Sequence, residues 1–391
     1  MSKTHKILSV TPFFPPDVGG IANHVVNLNN NLTRLNNKIS IITPKHIGHK
    51  ISESNEYFKQ VFRINSIYFP GWPYQTLRSV SIPIDLGLKI SSIIQNGDFD
   101  IIHVHGHHYP ISWLALNSAH KYDVPSVLTL HGMYALNPNV LGGKSLIEDC
   151  FNKYIFRKIL SKTRAVIGLT GQITNYAKQF SEYSKYFTIP NGVNTVLYKE
   201  NMRRKSEYRQ KYQIQQDSTV ILFCGRFEKV KGVVEFAKAA KNIVKNNGIE
   251  VVIAGGGSLE PYLLSILNNI DGIHLLKWQP SETIHELYIA SDIFVIPSNF
   301  EALPLTIIEA MNAGLHIVYT PVGGIPDILV EYSPKTILKK VSSDEIQSVL
   351  TTLISNFTSN DIDKSLTYAQ KFDWNNIATS TSKVYNECAN P

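Results

Sequence analysis

Cysteine is scarce in this chain: Cys150, Cys224 and Cys388 are far apart and odd in number. A disulfide frame and a zinc knuckle are excluded as expectations, and reduced thiols in a cytosolic setting are favoured. Long apolar runs are missing too; none approaches the roughly 20 residues needed to span a bilayer. Met1 to Lys6 lead straight into the strand-like run 7–10, which leaves no room for the apolar core and cleavage site of a secretory signal. The expected compartment is therefore the cytoplasm. No short-period repeat or low-complexity segment is visible. No basic motif interleaved with aromatics appears either, which argues against nucleic acid as a partner.

The content that is present describes a globular protein of two domains. The chain has 391 residues, 43% apolar and 18% charged, too long for one ordinary core. Charge is unevenly spread: residues 1–195 hold 19 Lys and Arg against 10 Asp and Glu, net +9, and the remainder holds 19 against 21, net −2. A basic first half suits an anionic partner such as a membrane surface. Within it, 144–164 can present Ile147, Phe151, Tyr154 and Ile155 as one face among Lys153, Arg157, Lys158 and Lys162, and a basic helix packed on its own domain is the plain alternative.

Strand-like apolar runs alternate with amphipathic stretches, the pattern of parallel sheets with helical crossovers. In the first half they are 6–10, 39–43, 101–105, 126–130 and 165–170; in the second they are 220–224, 251–254, 273–276, 293–297 and 316–320. The polar stretch 199–218 separates the two series and is read as the linker with the first helix of the second domain. The expected fold class is α/β, two Rossmann-like doubly wound domains facing across a cleft, with residues 1–198 as the first and 199–372 as the second. A cleft of that kind is a common place for a ligand.

Several turns after strands carry chemistry. Gly19-Gly20 lies between the first strand and a helix, where paired glycines admit a ligand to the backbone and the helix N-terminus offers free N–H groups to an anion. A tight strand-to-helix turn explains the same residues. His103 and His105 share a strand face, with His107 and His108 next; no Asp, Glu or Cys is near in sequence, so they read as loop histidines at the cleft mouth rather than metal ligands. His131 ends another strand, at the edge where α/β proteins bind ligands, and a packed polar end-cap is the bland alternative.

In the second half, Gly225-Arg226 with Lys231-Gly232 follows a strand, pairing a guanidinium fork with an ammonium in a way that suits a diphosphate. Gly255, Gly256 and Gly257 form a second glycine-rich turn without the full dinucleotide fingerprint. The most informative segment runs from Phe294 to Gly314. A loop carries Glu301, Pro304 opens a helix, Glu309 lies about one turn inside it, and Gly314 ends it. Two carboxylates on different elements can each accept hydrogen bonds from vicinal hydroxyls of a sugar. A helix-mouth acid and a surface residue is the plain alternative.

Together, Gly19-Gly20, His131-Gly132, Asn191-Gly192-Val193-Asn194, Gly225-Arg226, Lys231-Gly232 and Glu301 with Glu309 resemble the family-4 retaining glycosyltransferases of the GT-B fold. The resemblance runs from about Lys6 to Trp374. It implies a hexose-type sugar moved from a nucleotide-diphosphate donor, UDP or GDP, to a glycan or lipid-linked acceptor, with no metal and no other cofactor. It gives His131, Arg226, Lys231 and Glu301 catalytic roles. Gly19, Gly20, Asn191, Gly225, Gly256, Ala302, Leu303, Pro304, Leu305 and Glu309 become donor contacts. It also implies a last helix, about 373–391, crossing back to the first domain, and a peripheral position at the inner face of a membrane. The chain departs from the family's habits at Asn194, Lys277 and Asp327. A non-catalytic sugar-nucleotide-binding subunit, an epimerase and a phosphorylase are the alternatives on the same fold. The aromatic segment 68–74 is read as an acceptor loop.

Overall fold

Short β-branched runs become strands of two parallel sheets, as expected where helices cover both faces and strands need no polar side. The computed structural model describes residues 4–17, 19–45, 52–53, 58–69, 80–132, 149–246, 248–280, 283–357 and 362–389. Most of the aromatic segment 68–74, and residues 144–148 of the basic segment with Ile147, lie outside them. Two compact units result: Met1–Gly192 with Trp374–Pro391, and Val193–Asp373.

Unit 1 has strands β1 (Lys6–Val10), β2 (Lys38–Pro44), β3 (Ser52–Glu53), β4 (Gln60–Ile64), β5 (Ser66–Phe69), β6 (Val80–Pro83), β7 (Ile101–His105), β8 (Ser126–Leu130), β9 (Ala165–Gly168) and β10 (Lys185–Thr188). The main sheet runs β10-β9-β8-β7-β1-β2-β4-β3, parallel except for β3 against β4, and β5 pairs with β6 apart from it. Strand order reverses at β1 and β7, so their carboxyl ends form a switch point. The helix Gly20–Arg34 buries Ala22, His24, Val25, Leu28 and Leu32 at helical spacing. The closing helix Trp374–Ala389 buries Trp374, Ile377, Ala378, Val384, Tyr385 and Cys388. These join the core built by Ile7, Val25, Ile101 and Val127.

Unit 2 holds one sheet: β11 (Thr219–Arg226), β12 (Ile249–Gly256), β13 (Ile273–Leu276), β14 (Ile293–Ile296), β15 (His316–Tyr319) and β16 (Lys335–Ile337). Its order is β13-β12-β11-β14-β15-β16, all parallel, with the switch point between β11 and β14. β11 and β12 outrun the apolar stretches that announce them, because Gly225 pairs with Gly255 and Arg226 with Gly256. The polar stretch 199–218 holds a helix of the second unit, as read from the sequence. It forms the helix Lys205–Lys211 inside unit 2, where buried Arg209 pairs with Asp292 at 2.8 Å and donates to the Ala290 carbonyl at 3.0 Å.

The basic segment also differs from expectation. Phe151–Phe156 is a π-helical turn running into the helix Arg157–Leu160, and the extra residue per turn rotates the inner face. Asn152, Phe156, Ile159 and Leu160 are buried, Phe151 stacks on His108, and Tyr154 is exposed beside Lys153. Phe151, Tyr154 and Ile155 do not make one face. Among the described residues no helix is long and apolar enough to cross a membrane.

Candidate functional site

At the switch point of unit 2, three loops are tied together by backbone. The Asn299 amide donates to the Val230 carbonyl at 2.8 Å and the Gly324 amide to the Ala302 carbonyl at 2.9 Å. Two glycines make this approach possible. Gly232 (φ +66°) lies where an added Cβ would stand 2.1 Å from the Pro297 carbonyl oxygen, and at Gly323 (φ +56°) a Cβ would stand 1.6 Å from that of Glu301. No other residue fits such contacts at positive φ.

The loops bring Lys231 and Glu301 into direct contact. Lys231 Nζ donates to Glu301 Oε1 at 2.6 Å, and the Ser298 hydroxyl donates to the same oxygen at 2.8 Å. Both side chains are largely buried, 18% exposed for Lys231 and 7% for Glu301. Sequence reading set these residues separate tasks; the fold makes them a pair, with Oε2 left to accept further hydrogen bonds. Arg226, at the end of β11, is half-buried, and its guanidinium has no hydrogen bond or ion pair among the described residues. A half-buried guanidinium without a carboxylate is electrostatically suited to an anion.

Helix starts add to this field. Val233–Ile243 begins at Gly232 and Leu305–Asn312 at Pro304, neither with a side-chain cap. Their first amides are therefore free to meet negative charge. Leu303 is buried and Ala302 half-buried in the loop between Glu301 and the second helix. Gly256 ends β12, with the Trp278 Cβ 4.0 Å from where its own Cβ would lie. Glu309 is half-buried on the helix, and burial pushes its carboxyl up to about 7, partly offset by the Tyr288 hydroxyl beside it. Burial likewise raises the Cys224 thiol to about 12, with Glu309 adding to the effect.

Unit 1 gathers a different set at its own switch point. Gly19 and Gly20 open the helix Gly20–Arg34, which has no side-chain cap. His131 follows β8, half-buried, with Nε2 3.3 Å from His105 Nδ1. His103 and His105 are not loop residues: both are wholly buried in β7. In a parallel sheet covered on both faces, strand side chains are buried whichever way they point. His103 spends both ring nitrogens on structure, Nδ1 with Tyr385 at 2.6 Å and Nε2 with Thr129 at 2.7 Å. Asn191 is buried, and its Oδ1 accepts from His24 Nδ1 at 2.8 Å. Burial drives the imidazoles toward neutrality, His24 down to about 4 and His103 to about 3, with His105 and His131 also well below their usual value.

Residues 18–197 match the family model described as Glycosyltransferase Family 4, and residues 204–368 match the one described as Glycosyl transferases group 1. The chain belongs to the family-4 glycosyltransferases. An uncharacterized glycosyltransferase of Methanocaldococcus jannaschii is 25% identical over 97% of each chain. The sucrose-phosphate synthase of Thermosynechococcus elongatus superposes with a TM-score of 0.79 at 16% identity, covering 98% of each chain. The Anabaena protein HepE in complex with UDP gives 0.70 at 16% identity, over 98% of this chain and 100% of that one. The fold of this family-4 glycosyltransferase is therefore GT-B, two Rossmann-like doubly wound domains.

One residue of the family-4 site region went unread in the sequence. His24 lies on the buried face of the helix Gly20–Arg34, its ring centroid 4.7 Å from that of His131 and 5.6 Å from that of His105. Its place four residues past Gly20 on an amphipathic helix was the available signal, and that signal marks burial, not company.

Proposed function

We propose that this glycosyltransferase moves a hexose-type sugar, with retention of configuration, from a UDP or GDP sugar to a glycan or lipid-linked acceptor. The observation that carries the reading is the switch-point arrangement in unit 2: an Arg226 guanidinium unpaired among the described residues, the buried Lys231–Glu301 pair, and two uncapped helix starts. Negative charge grows on the diphosphate as the sugar leaves. Arg226 binds its oxygens as a fork, Lys231 neutralises them, and the free amides at Leu305 and its neighbours add to the field, so this chain's own cations carry the electrostatic stabilisation. Glu301 Oε2 accepts from hydroxyls of the transferred sugar. Glu309 accepts from the ribose hydroxyls, most strongly in its carboxylate form.

For unit 1, the reading assigns the Gly20 amide to a donor phosphate, His131 to the donor sugar, and Asn191 to positioning through His24. Retention follows from a same-face displacement. The bond from the anomeric carbon to the phosphate oxygen breaks, the bond to the acceptor oxygen forms on the same face, and the acceptor hydroxyl proton passes to the leaving phosphate. The structure of HepE with UDP supports the donor class by analogy of fold.

Thermal stabilisation by a panel of UDP-, GDP- and ADP-sugars, with EDTA present, tests the donor site. One nucleotide sugar is expected to raise the melting temperature of wild type and not of Glu309→Ala. Equal shifts in both proteins sink the assignment of Glu309. Inverted anomeric configuration in the product, read by NMR, sinks the displacement step.

A further inference from the structure

Three imidazoles from three elements meet in unit 1. His24 comes from the helix Gly20–Arg34, His105 from the end of β7 and His131 from the residue after β8. One ring nitrogen of each lies within 4.8 Å of the other two. Their sequence separation hides the cluster.

Hydrogen bonding leaves the cluster unfinished. His24 is 3% exposed, yet its Nε2 has no hydrogen-bond partner among the described residues. A buried ring nitrogen of this kind calls for a water or an ion. The other nitrogen of His24 is already fixed: Nδ1 meets Asn191 Oδ1 at 2.8 Å, and since that oxygen only accepts, Nδ1 carries the proton and Nε2 presents its lone pair. A ligating histidine held by a second acceptor in this way is the common outer arrangement of metal sites.

We infer that His24, His105 and His131 form a binding site for one late first-row divalent cation of the zinc class. Zinc–nitrogen bonds of about 2.0–2.1 Å set neighbouring nitrogens about 3.3 Å apart in a tetrahedron. The His105 Nδ1 to His131 Nε2 distance is already 3.3 Å, and the wider edges, all within 4.8 Å, close by small movements of the rings. Three imidazoles without a carboxylate or thiolate in the cluster favour zinc, cobalt, nickel or copper over magnesium and calcium, which take oxygen ligands. Solvent completes the coordination. Occupancy engages the His131 ring; resting on the function proposed above, it makes the cation an inhibitor of transfer and not a cofactor.

The test uses full-length protein without a histidine tag, in a Cys150→Ser background because that thiol is exposed and binds soft metals. Cobalt(II) added to the chelator-stripped protein is expected to give the intense visible bands of four-coordinate nitrogen ligation. Equilibrium dialysis should retain one zinc per chain. His24→Asn and His105→Asn, checked for fold by circular dichroism, should each lower zinc affinity by at least about tenfold. A folded parent without four-coordinate cobalt bands overturns the site, as does unchanged zinc retention in folded variants. Zinc that binds at this site and leaves transfer unchanged overturns the inhibition alone; loss of the donor-binding result in unit 2 leaves the metal site standing.

Discussion

Lys231 and Glu301 neutralise each other across 2.6 Å in a place with little solvent, so removing one strands the other. Lys231→Met is expected to cost about 3–5 kcal/mol of stability and to lower kcat about 10²–10³-fold. Adding Glu301→Gln should restore most of the stability and none of the rate, a split that denaturation curves and initial rates read directly. Recovery of activity with stability would mean that Lys231 serves the fold alone. Glu309 makes a second prediction. Its value near 7 lies above the usual carboxylate range, so the acceptor form is present at high pH and is lost as pH falls. Donor affinity should weaken by up to about tenfold for each pH unit below 7, and Glu309→Gln should flatten the profile. A wild-type profile that is flat from pH 5 to 8 would refute the role.

Gly232 and Gly323 act on whole loops, since each lets one turn lie on the carbonyls of another. Gly232→Ala and Gly323→Ala should each lose about 1–3 kcal/mol or more by urea midpoint, with weaker donor binding. Gly248→Ala is the control: its φ is +80° but nothing lies within 4 Å of the new Cβ, so it should lose less and leave donor binding alone. Equal losses at all three would reduce the argument to backbone strain. At this level the sequence was most readable. Buried parallel strands need continuous apolar residues, so β1, β7 and β8 end where their runs end. β10 was missed because Lys185–Thr188 is an edge strand with a partly exposed pattern, and β16 for the same reason. Arg226 and Lys231 stood out because glycines after strands mark ligand-bearing turns. His24 did not, because its partner Asn191 lies 167 residues away, and local periodicity carries no information over that distance.

Charge belongs to the molecule as a whole. Residues 1–195 carry net +9 and the rest −2, and we propose that the basic part holds the protein against an anionic membrane where a lipid-linked acceptor lies. Co-sedimentation with anionic vesicles is expected at low ionic strength and should vanish in high salt, with neutral vesicles bound at neither. No sedimentation at low salt would remove the membrane reading and leave the donor chemistry untouched. The path of the chain has its own consequence. Trp374, Ile377, Tyr385 and Cys388 complete a core whose other members, such as Ile7, Val25 and Ile101, are made much earlier. On the ribosome the uninterrupted stretch Val193–Asp373 can fold as soon as it emerges. The N-terminal unit must wait with its apolar floor uncovered until the closing helix arrives, so the half synthesised first is the half finished last, and it is the half that chaperones have most cause to guard.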